Sequence, residues 1–303
     1  MTAAPPPPLR IVVTGATGFV GAHLAAAAAA AGHEVTAVGR DAARAAAAPW
    51  AGRARFLALD LAAPGAAARL LEAAGRVDAL AHLAWPGLPD FRDPAHVAEH
   101  LPAALRFLGE AAALGLARRL LVAGTCLEYG LREGAQREDA PTAPTLPYPI
   151  AKDALRRTLE AMLARAAAPP RLIWARLYYL HGEGQHPKSV LPQLEAAIAA
   201  GRPRFEMSGG EQLRDYLPAP QAAAKLLALA EAGAAAGIYN ICSGRPISVR
   251  RLVEERVRAL GSDIALDLGR LPYPDYEPMA FWGDPRRAEA VAAGRPAAAV
   301  RAA

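Results

Sequence analysis

The sequence is poor in cysteine, in aromatic residues and in charge. Its 303 residues include two cysteines, Cys126 and Cys242, which are too few for a disulfide framework and lie in no CxxC or Cys/His cluster. We therefore expect a protein of a reducing compartment, the cytoplasm, with no metal site. Charged residues make up 21% and aromatic residues 6%, whereas hydrophobic residues reach 53%. This composition excludes a disordered chain and allows a large buried core.

Long apolar segments and signal sequences are also missing. The longest apolar stretch, residues 24–31, is far shorter than the ~20 residues that span a bilayer. Residues 1–8 are Pro-rich and lack the basic and apolar regions of a signal peptide, so we expect a flexible tail. The formal net charge is +5, but the arginines are scattered along alanine-rich segments, which is typical of solvated helix faces. We expect neither a membrane nor a nucleic acid as partner; the basic excess suits anionic phosphate ligands.

Apolar, strand-like segments alternate with helix-length segments over the first 180 residues. We predict strands at residues 9–13, 34–38, 55–59, 77–83, 119–122, 171–177 and 237–241, with crossover helices between the early ones. This alternation predicts an α/β fold built on a doubly wound parallel sheet. After residue 180 the regularity ends. We expect helices at 191–200, 221–231 and 249–260, and a hairpin or irregular stretch at 201–217.

A glycine-rich turn follows the first predicted strand. Residues 14–21 read Thr-Gly-Ala-Thr-Gly-Phe-Val-Gly and precede an alanine-rich helix, so Gly15, Gly18 and Gly21 form a wide-spaced dinucleotide-binding fingerprint. The glycines allow a tight turn and a close approach of backbone N–H groups to a pyrophosphate, and the helix N-terminus attracts phosphates. The sheet is therefore predicted to be a Rossmann sheet. We assign residues 9–180, with about 218–243 returning to it, to the dinucleotide-binding domain, and 181–217 with 244–303 to a small C-terminal α/β substrate-binding lobe.

The end of the second strand bears on the choice of cofactor. An NAD site usually has an acid there to hold the ribose 2′-OH, whereas here the strand ends in Gly39 and Arg40. The planar guanidinium of Arg40 suits the 2′-phosphate of NADP(H). Asp41, the next residue, leaves NAD(H) possible.

Two further segments indicate proton-transfer chemistry. Tyr148 and Lys152 are four residues apart, so on a helix they share a face, and the Lys152 ammonium would lower the pKa of the Tyr148 phenol toward working pH. Thr125 lies at the carboxyl end of the fifth strand, the edge where doubly wound sheets bind ligands. The alternative interpretations are an exposed helix start for the Tyr/Lys pair and a turn-capping hydroxyl for Thr125.

Taken together, these residues resemble the extended short-chain dehydrogenases/reductases, in the group of NAD(P)-dependent nucleotide-sugar epimerases, dehydratases and ketoreductases. The resembling elements are residues 14–21, 60–61, 82–84, 124–130, Tyr148 with Lys152, 214–216 and 239–244, in the family's order. The resemblance implies that Tyr148, Lys152 and Thr125 are catalytic. It implies a cofactor site made of Gly15, Thr17, Gly18, Phe19, Val20, Gly21, Arg40, Asp60, Leu61, Leu83, Ala84, Trp85, Tyr148 and Lys152. It implies a substrate site made of Thr125, Cys126, Tyr179, Lys188, Ser189 and Arg214, the last holding a diphosphate.

The resemblance also narrows the expected activity. Dehydratases of the group carry Asp-Glu after the active-site Thr, and Cys126-Leu127 stand there, so we do not expect a dehydratase. We expect an oxidoreductase of a nucleotide-diphosphate sugar, acting at C4 of a 4-keto-6-deoxyhexose with NADP(H) or NAD(H), and a homodimer. The alternatives are a nucleotide-sugar 4-epimerase and a non-catalytic NAD(P)-binding sensor or assembly protein. Cys126 could be an acid/base thiol, but we interpret it as a small residue buried in the sheet core.

Overall fold

The computed structural model describes residues 7–231 and 234–294. Residues 1–6 of the predicted flexible tail and residues 295–303 of the predicted substrate lobe lie outside the described residues. Within the described part of the chain, no helix is both long and apolar enough to cross a membrane.

The strands and helices follow the predicted alternation. The strands are β1 (Arg10–Thr14), β2 (Glu34–Gly39), β3 (Arg55–Ala58), β4 (Val77–His82), β5 (Ala117–Thr125), β6 (Gly134–Gln136), β7 (Arg171–Leu177), β8 (Tyr179–His181), β9 (Arg204–Glu206), β10 (Leu213–Pro218), β11 (Gly237–Ile241), β12 (Pro246–Ser248), β13 (Ala265–Asp267) and β14 (Ala280–Gly283). The α-helices are α1 (Phe19–Ala30), α2 (Ala42–Ala46), α3 (Ala66–Ala74), α4 (Leu101–Ala113), α5 (Pro147–Leu163), α6 (Val190–Ala199), α7 (Ala219–Glu231), α8 (Val249–Ala259) and α9 (Arg286–Ala292).

The main sheet has seven parallel strands in the order β11-β7-β5-β4-β1-β2-β3. The order reverses next to β1, and this reversal opens a crevice at the carboxyl ends of β1 and β4. The prediction of an α/β fold with a doubly wound parallel Rossmann sheet is confirmed.

Helices cover both faces of this sheet, each over its own apolar core. On one face α1 packs on α7, and the alanines along α1 let the two helices approach closely around Leu24, Ala28 and Leu226. On the other face α3, α4 and α5 pack side by side over Leu80 and Trp174. Since both faces are covered, the strands can be apolar along their whole length.

The C-terminal lobe contains a smaller mixed sheet. Its strand order is β12-β10-β14-β6, with β8 also pairing with β10. Only the β10–β12 pair of this order is antiparallel. α6 and α8 pack against it over a separate apolar cluster that includes Leu194 and Val253. β11 joins the main sheet, as the predicted return of the chain requires; the domain boundaries themselves remain a prediction.

The hairpin considered for residues 201–217 does not form. β9 pairs with β13, whereas β10 pairs with β8, β12 and β14, so the two strands of this stretch belong to different sheets. The partners are up to about 70 residues away in sequence, and the local pattern holds no information about them.

Candidate active site

The glycine loop turns tightly between β1 and α1. Gly15 has φ +71°, and a Cβ built on it would lie 2.8 Å from the backbone N of Ala84, at the end of the neighbouring β4. A Cβ on Gly21 would lie 2.2 Å from the Gly15 carbonyl oxygen. Both positions therefore require glycine. α1 starts directly after this loop, and its N-cap Gly18 provides no side-chain cap, so the first N–H groups and the positive end of the helix dipole lie at the loop.

A cavity of about 320 Å³ lies above this loop. The predicted cofactor residues that line it are Gly15, Thr17, Gly18, Arg40, Asp60, Leu61, Leu83, Ala84 and Trp85. Phe19, Val20 and Gly21 form the first turn of α1 beside it. The narrow turn, the helix N-terminus and the apolar walls fit a dinucleotide, whose pyrophosphate would lie on the loop and whose nicotinamide would lie toward Trp85.

The adenosine end of the cavity carries two arginines. Arg40 and Arg44 both line it, together with Asp60. The carboxylate of Asp41 instead accepts a hydrogen bond from the Arg44 backbone N–H (3.0 Å) as the N-cap of α2. The Asp41 carboxylate thus caps α2, whereas Arg40 and Arg44 line the cavity.

Tyr148 lies in the first turn of α5 and is buried. Its ring stacks on Phe91 (centroids 5.5 Å apart), and its backbone N–H donates to the Phe91 carbonyl (3.2 Å). The ring also contacts Trp85 of the cofactor cavity (6.2 Å). Burial raises the pKa of Tyr148, Glu128 and Cys126 raise it further, and a hydrogen bond with the Thr125 side chain opposes the rise. The prediction of a lowered Tyr148 pKa is wrong: the pKa is raised, because burial outweighs the lowering effect of the Thr125 hydrogen bond.

Lys152, one turn further along α5, also reaches the Trp85 ring. Its Nζ donates to the Ala123 carbonyl (2.8 Å) and lies 3.9 Å from the centroid of the Trp85 ring. The side chain is 2% exposed, and burial lowers the pKa of Lys152 to about 7, against a raising effect of Glu128. The ammonium is therefore held inside the crevice between the cofactor cavity and the end of β5.

Thr125 ends β5 and starts a short 3₁₀ helix, residues Cys126–Tyr129. Its Oγ accepts from the Leu127 N–H (3.3 Å), and its own N–H donates to Glu128 Oε1 (2.9 Å), which closes a capping box. The structure thus brings Thr125, Tyr148 and Lys152 together at the carboxyl edge of the sheet, as the sequence pattern predicted.

A second cavity, of about 250 Å³, lies in the C-terminal lobe. Tyr179, Lys188 and Arg214 line it, and Ser189 lies beside Lys188 as the N-cap residue of α6. Arg214 is buried and forms an ion pair with Glu277 (Nη2–Oε2 3.0 Å). Glu277 also accepts from the Tyr179 hydroxyl (3.0 Å). An arginine and a lysine beside an apolar slot suit a nucleoside diphosphate.

Cys126 is buried, as interpreted from the sequence. It packs with Tyr129, Tyr178, Cys242 and Phe281 at the junction of the two sheets rather than inside the main sheet. Burial raises the pKa of the Cys126 thiol, and Glu277 and Asp215 add to the rise. A thiol kept protonated in this way is a poor proton acceptor.

Comparisons with known proteins agree with this geometry. Residues 11–242 match the family described as NAD dependent epimerase/dehydratase. The chain belongs to this family. The dTDP-6-deoxy-L-talose 4-dehydrogenase (NAD(+)) of Aggregatibacter actinomycetemcomitans is 29% identical over 279 residues, which are 91% of this chain and 99% of that protein. The dTDP-6-deoxy-L-talose 4-dehydrogenase (NAD(P)(+)) of Kitasatospora kifunensis is 30% identical over 286 residues, 91% of this chain and 86% of that protein.

A solved structure extends the agreement to three dimensions. MoeE5 in complex with UDP-glucose and NAD superposes with a TM-score of 0.78 at 28% identity, and the match covers 95% of this chain and 93% of that chain. As a member of the epimerase/dehydratase family, an extended short-chain dehydrogenase/reductase, this chain is an NAD(P)-dependent enzyme that acts on nucleotide sugars.

Several residues of this family member's site were not found by sequence reasoning. Arg44, His82 and His100 line the cofactor cavity. His82 bonds to the Thr14 hydroxyl (3.0 Å), and burial, with a smaller effect of Lys152, lowers the pKa of His82 to about 3, which keeps it neutral. Of these three residues, only His82 lies in a segment that the family resemblance had indicated, residues 82–84 at the end of β4. The others come from helices whose orientation toward the crevice depends on tertiary packing.

Proposed function

We propose that this protein is an NAD(P)-dependent C4 reductase/dehydrogenase of a nucleotide-diphosphate 4-keto-6-deoxyhexose. The observation that carries the proposal is the meeting of Tyr148, Thr125 and the buried Lys152 beside the mouth of the dinucleotide cavity. The two dTDP-6-deoxy-L-talose 4-dehydrogenases similar to this chain support the same reaction class.

The bound nicotinamide would supply or accept the hydride at C4. In the reducing direction the Tyr148 hydroxyl gives its proton to the C4 oxygen, and Thr125 donates a hydrogen bond that holds this oxygen. In the oxidising direction Tyr148 takes the proton of the C4 hydroxyl. Lys152, one turn along α5, stabilises the phenolate form of Tyr148 whenever it is protonated.

The substrate would lie between the two cavities. Arg214 and Lys188, with Ser189 beside them, would hold the diphosphate, and Tyr179 would line the cavity, with Cys126 packed behind it toward Thr125. Glu277 was not indicated by the sequence. Its carboxylate forms an ion pair with Arg214 and so occupies one side of the guanidinium group.

The reaction is tested by following NADPH or NADH absorbance with thymidine-, uridine- and guanosine-diphospho 4-keto-6-deoxyhexoses. We expect turnover with at least one of them and its loss, by at least ~10²-fold, in Tyr148→Phe, while cofactor binding measured by Trp fluorescence is kept. A Tyr148→Phe variant with half the rate would contradict the proposal.

Two other outcomes would indicate the alternative functions. A 4-epimerase would carry stoichiometric NAD after purification and would invert C4 with no net redox change. A sensor or assembly protein would bind the cofactor without turnover.

We propose NADP(H) as the favoured cofactor, with NAD(H) accepted less well. The support is the pair Arg40 and Arg44 at the adenosine end and the engagement of Asp41 as a helix cap. In the double variant Arg40→Ser with Arg44→Ser, kcat/KM for NADPH should fall at least ~10-fold more than kcat/KM for NADH. The reason is that each substitution removes a charge-assisted hydrogen bond to the 2′-phosphate, which NADH lacks. Equal losses for the two cofactors would contradict this preference.

We also propose a cytoplasmic homodimer formed through α5 and its neighbour α4. Ile150, in the first turn of α5, is an apolar side chain that is 40% exposed and available for such a contact. Light scattering coupled to size-exclusion chromatography should give a dimer mass, and Ile150→Glu should shift it toward the monomer.

A further inference from the structure

Glu128 is a fully buried carboxylate directly behind the active-site threonine. Its relative exposure is 0%, and that of its partner Arg176 is 1%. Glu128 Oε2 accepts from Arg176 Nε (2.7 Å), and both carboxylate oxygens lie close to Trp174 Nε1 (3.0 and 3.1 Å). Its Oε1 also accepts from the Thr125 N–H. A buried charge persists only where such bonds compensate the loss of hydration.

Gly124, the residue before Thr125 in β5, leaves room for this carboxylate. A Cβ on Gly124 would lie 2.5 Å from Glu128 Oε1 and 2.2 Å from Trp174 Nε1. Glycine at this position therefore makes the space in which Glu128 and Trp174 meet. Arg176 is held in turn by the Tyr129 ring, 4.3 Å from its guanidinium carbon.

This arrangement fixes the direction of the Thr125 hydroxyl. Because Glu128 binds the Thr125 N–H and closes the 3₁₀ turn, the Leu127 N–H points at Thr125 Oγ and donates to it. One lone pair of Oγ is thereby used, and the hydroxyl hydrogen is left free for donation to a group in front of Thr125, where the Tyr148 side chain lies. Thr125 is thus presented as a donor, which is what a carbonyl oxygen or a phenolate requires.

We propose that Glu128, clamped by Arg176 and Trp174, is a positioning residue that keeps the single O–H of Thr125 available as a donor, to Tyr148 before substrate binds and to the substrate oxygen afterwards, and that its carboxylate tunes proton transfer by Tyr148. The proposal rests on the catalytic roles of Tyr148 and Thr125 in the proposed function. It assigns a positioning role to the 3₁₀ turn after β5, the segment in which the resemblance implied Thr125 and in which the acids of a dehydratase are missing.

The charges around the reacting groups support the second half of the proposal. Tyr148 is faced by Glu128 and Cys126 from the turn after β5, and by the imidazole of His96, just before α4, whose ring centroid lies 5.2 Å from that of Tyr148. Lys152 is faced by Glu128 and by neutral His82 of β4. Glu128 raises the pKa of Tyr148, as burial does, and raises the pKa of Lys152 against the lowering effect of burial. Glu128 thus acts on both groups, and its carboxylate is held in place by Arg176.

The test is the variant Glu128→Gln, which keeps the shape of the side chain. It replaces a carboxylate, whose two oxygens both accept hydrogen bonds, by an amide in which only one oxygen accepts. The amide cannot accept from Thr125, Trp174 and Arg176 together, so the Thr125 turn loses its clamp. We expect kcat to fall about 10- to 100-fold with KM for the cofactor unchanged. We also expect the pH profile of kcat/KM to move to lower pH by about one unit, because the pKa of Tyr148 and that of Lys152 both fall.

Two further variants separate this role from a structural one. Glu128→Gln combined with Arg176→Met removes both charges and should recover the melting temperature toward wild type, while kcat stays low and the pH profile stays shifted. Asp153→Asn removes another buried carboxylate bound to arginines, Arg156 (2.8 Å) and Arg157 (2.7 Å), on α5 itself. It should lower the melting temperature and leave the pH profile in place.

An unshifted pH profile in Glu128→Gln, or full kcat in the folded double variant, would overturn the proposal. If Tyr148→Phe is inactive at the same time, the proposed function stands and only the role of Glu128 is wrong. If Tyr148→Phe keeps its activity, the proposed function itself fails. The two failures are therefore distinguishable with one substrate and one assay.

Discussion

Replacing Lys152 by Met should change how the stability of the cofactor-free protein depends on pH. Lys152 is 2% exposed, and burial lowers its pKa from 10.5 to about 7. The unfolded chain binds this proton up to about pH 10.4, whereas the folded protein releases it near pH 7. Between these values the unfolded state binds more protons, so the free energy of unfolding rises with pH.

The size of the effect follows from the two pKa values. One pKa unit corresponds to about 1.36 kcal/mol, so the difference between 10.5 and about 7 corresponds to about 5 kcal/mol of unfavourable free energy when Lys152 is charged. Above pH 7 this cost decreases by about 1.4 kcal/mol per pH unit. Between pH 6.5 and 9 the wild type should therefore gain about 2–3 kcal/mol relative to Lys152→Met.

The assay is urea unfolding of the cofactor-free proteins at pH 6.5, 7.5 and 9, with the difference between wild type and variant taken at each pH so that other titrations cancel. Lys225→Met controls for the loss of another lysine bonded to a backbone carbonyl, since Lys225 Nζ donates to the Cys242 carbonyl (2.7 Å). Parallel stability curves for wild type and Lys152→Met would refute the argument, because they would mean that the ammonium is not desolvated in the crevice.

Further predictions concern the glycine loop and the C-terminal lobe. Gly15→Ala should lower the free energy of unfolding by about 1–3 kcal/mol and weaken cofactor binding, because its Cβ would meet the Ala84 backbone. Gly32→Ala is the control, since Gly32 has φ +87° but open space around it in the described structure. This variant should lose only the free energy needed to hold alanine at positive φ and should bind the cofactor normally. Asp215→Asn should lower the free energy of unfolding by about 3 kcal/mol, as measured by urea unfolding, since this buried carboxylate accepts N–H bonds from the loop after β11 and from β14. A loss below about 1 kcal/mol would show that those N–H groups find other acceptors.

The family, the sheet and the sheet edge that carries Thr125 were accessible from the sequence because they depend on local patterns. Parallel strands buried on both faces must be continuously apolar, and the crossover helices must alternate with them. The glycine loop needs positive φ and missing side chains at particular spacings, which few other residues can supply. Thr125, Tyr148 and Lys152 converge because strand ends and helix starts of this fold meet at one edge.

What only the tertiary structure decided was the environment of these residues. Glu277 approaches Arg214 across 63 residues of chain, and Trp174 and Arg176 reach Glu128 across 46 and 48. No local pattern encodes such meetings. The direction of the pKa changes also depended on packing, because helical spacing places an ammonium beside a phenol, whereas the amount of water left around both decides which charged form is favoured. The sequence determined which groups come to the crevice, and the surrounding dielectric and hydrogen bonds determined how they are held and charged there.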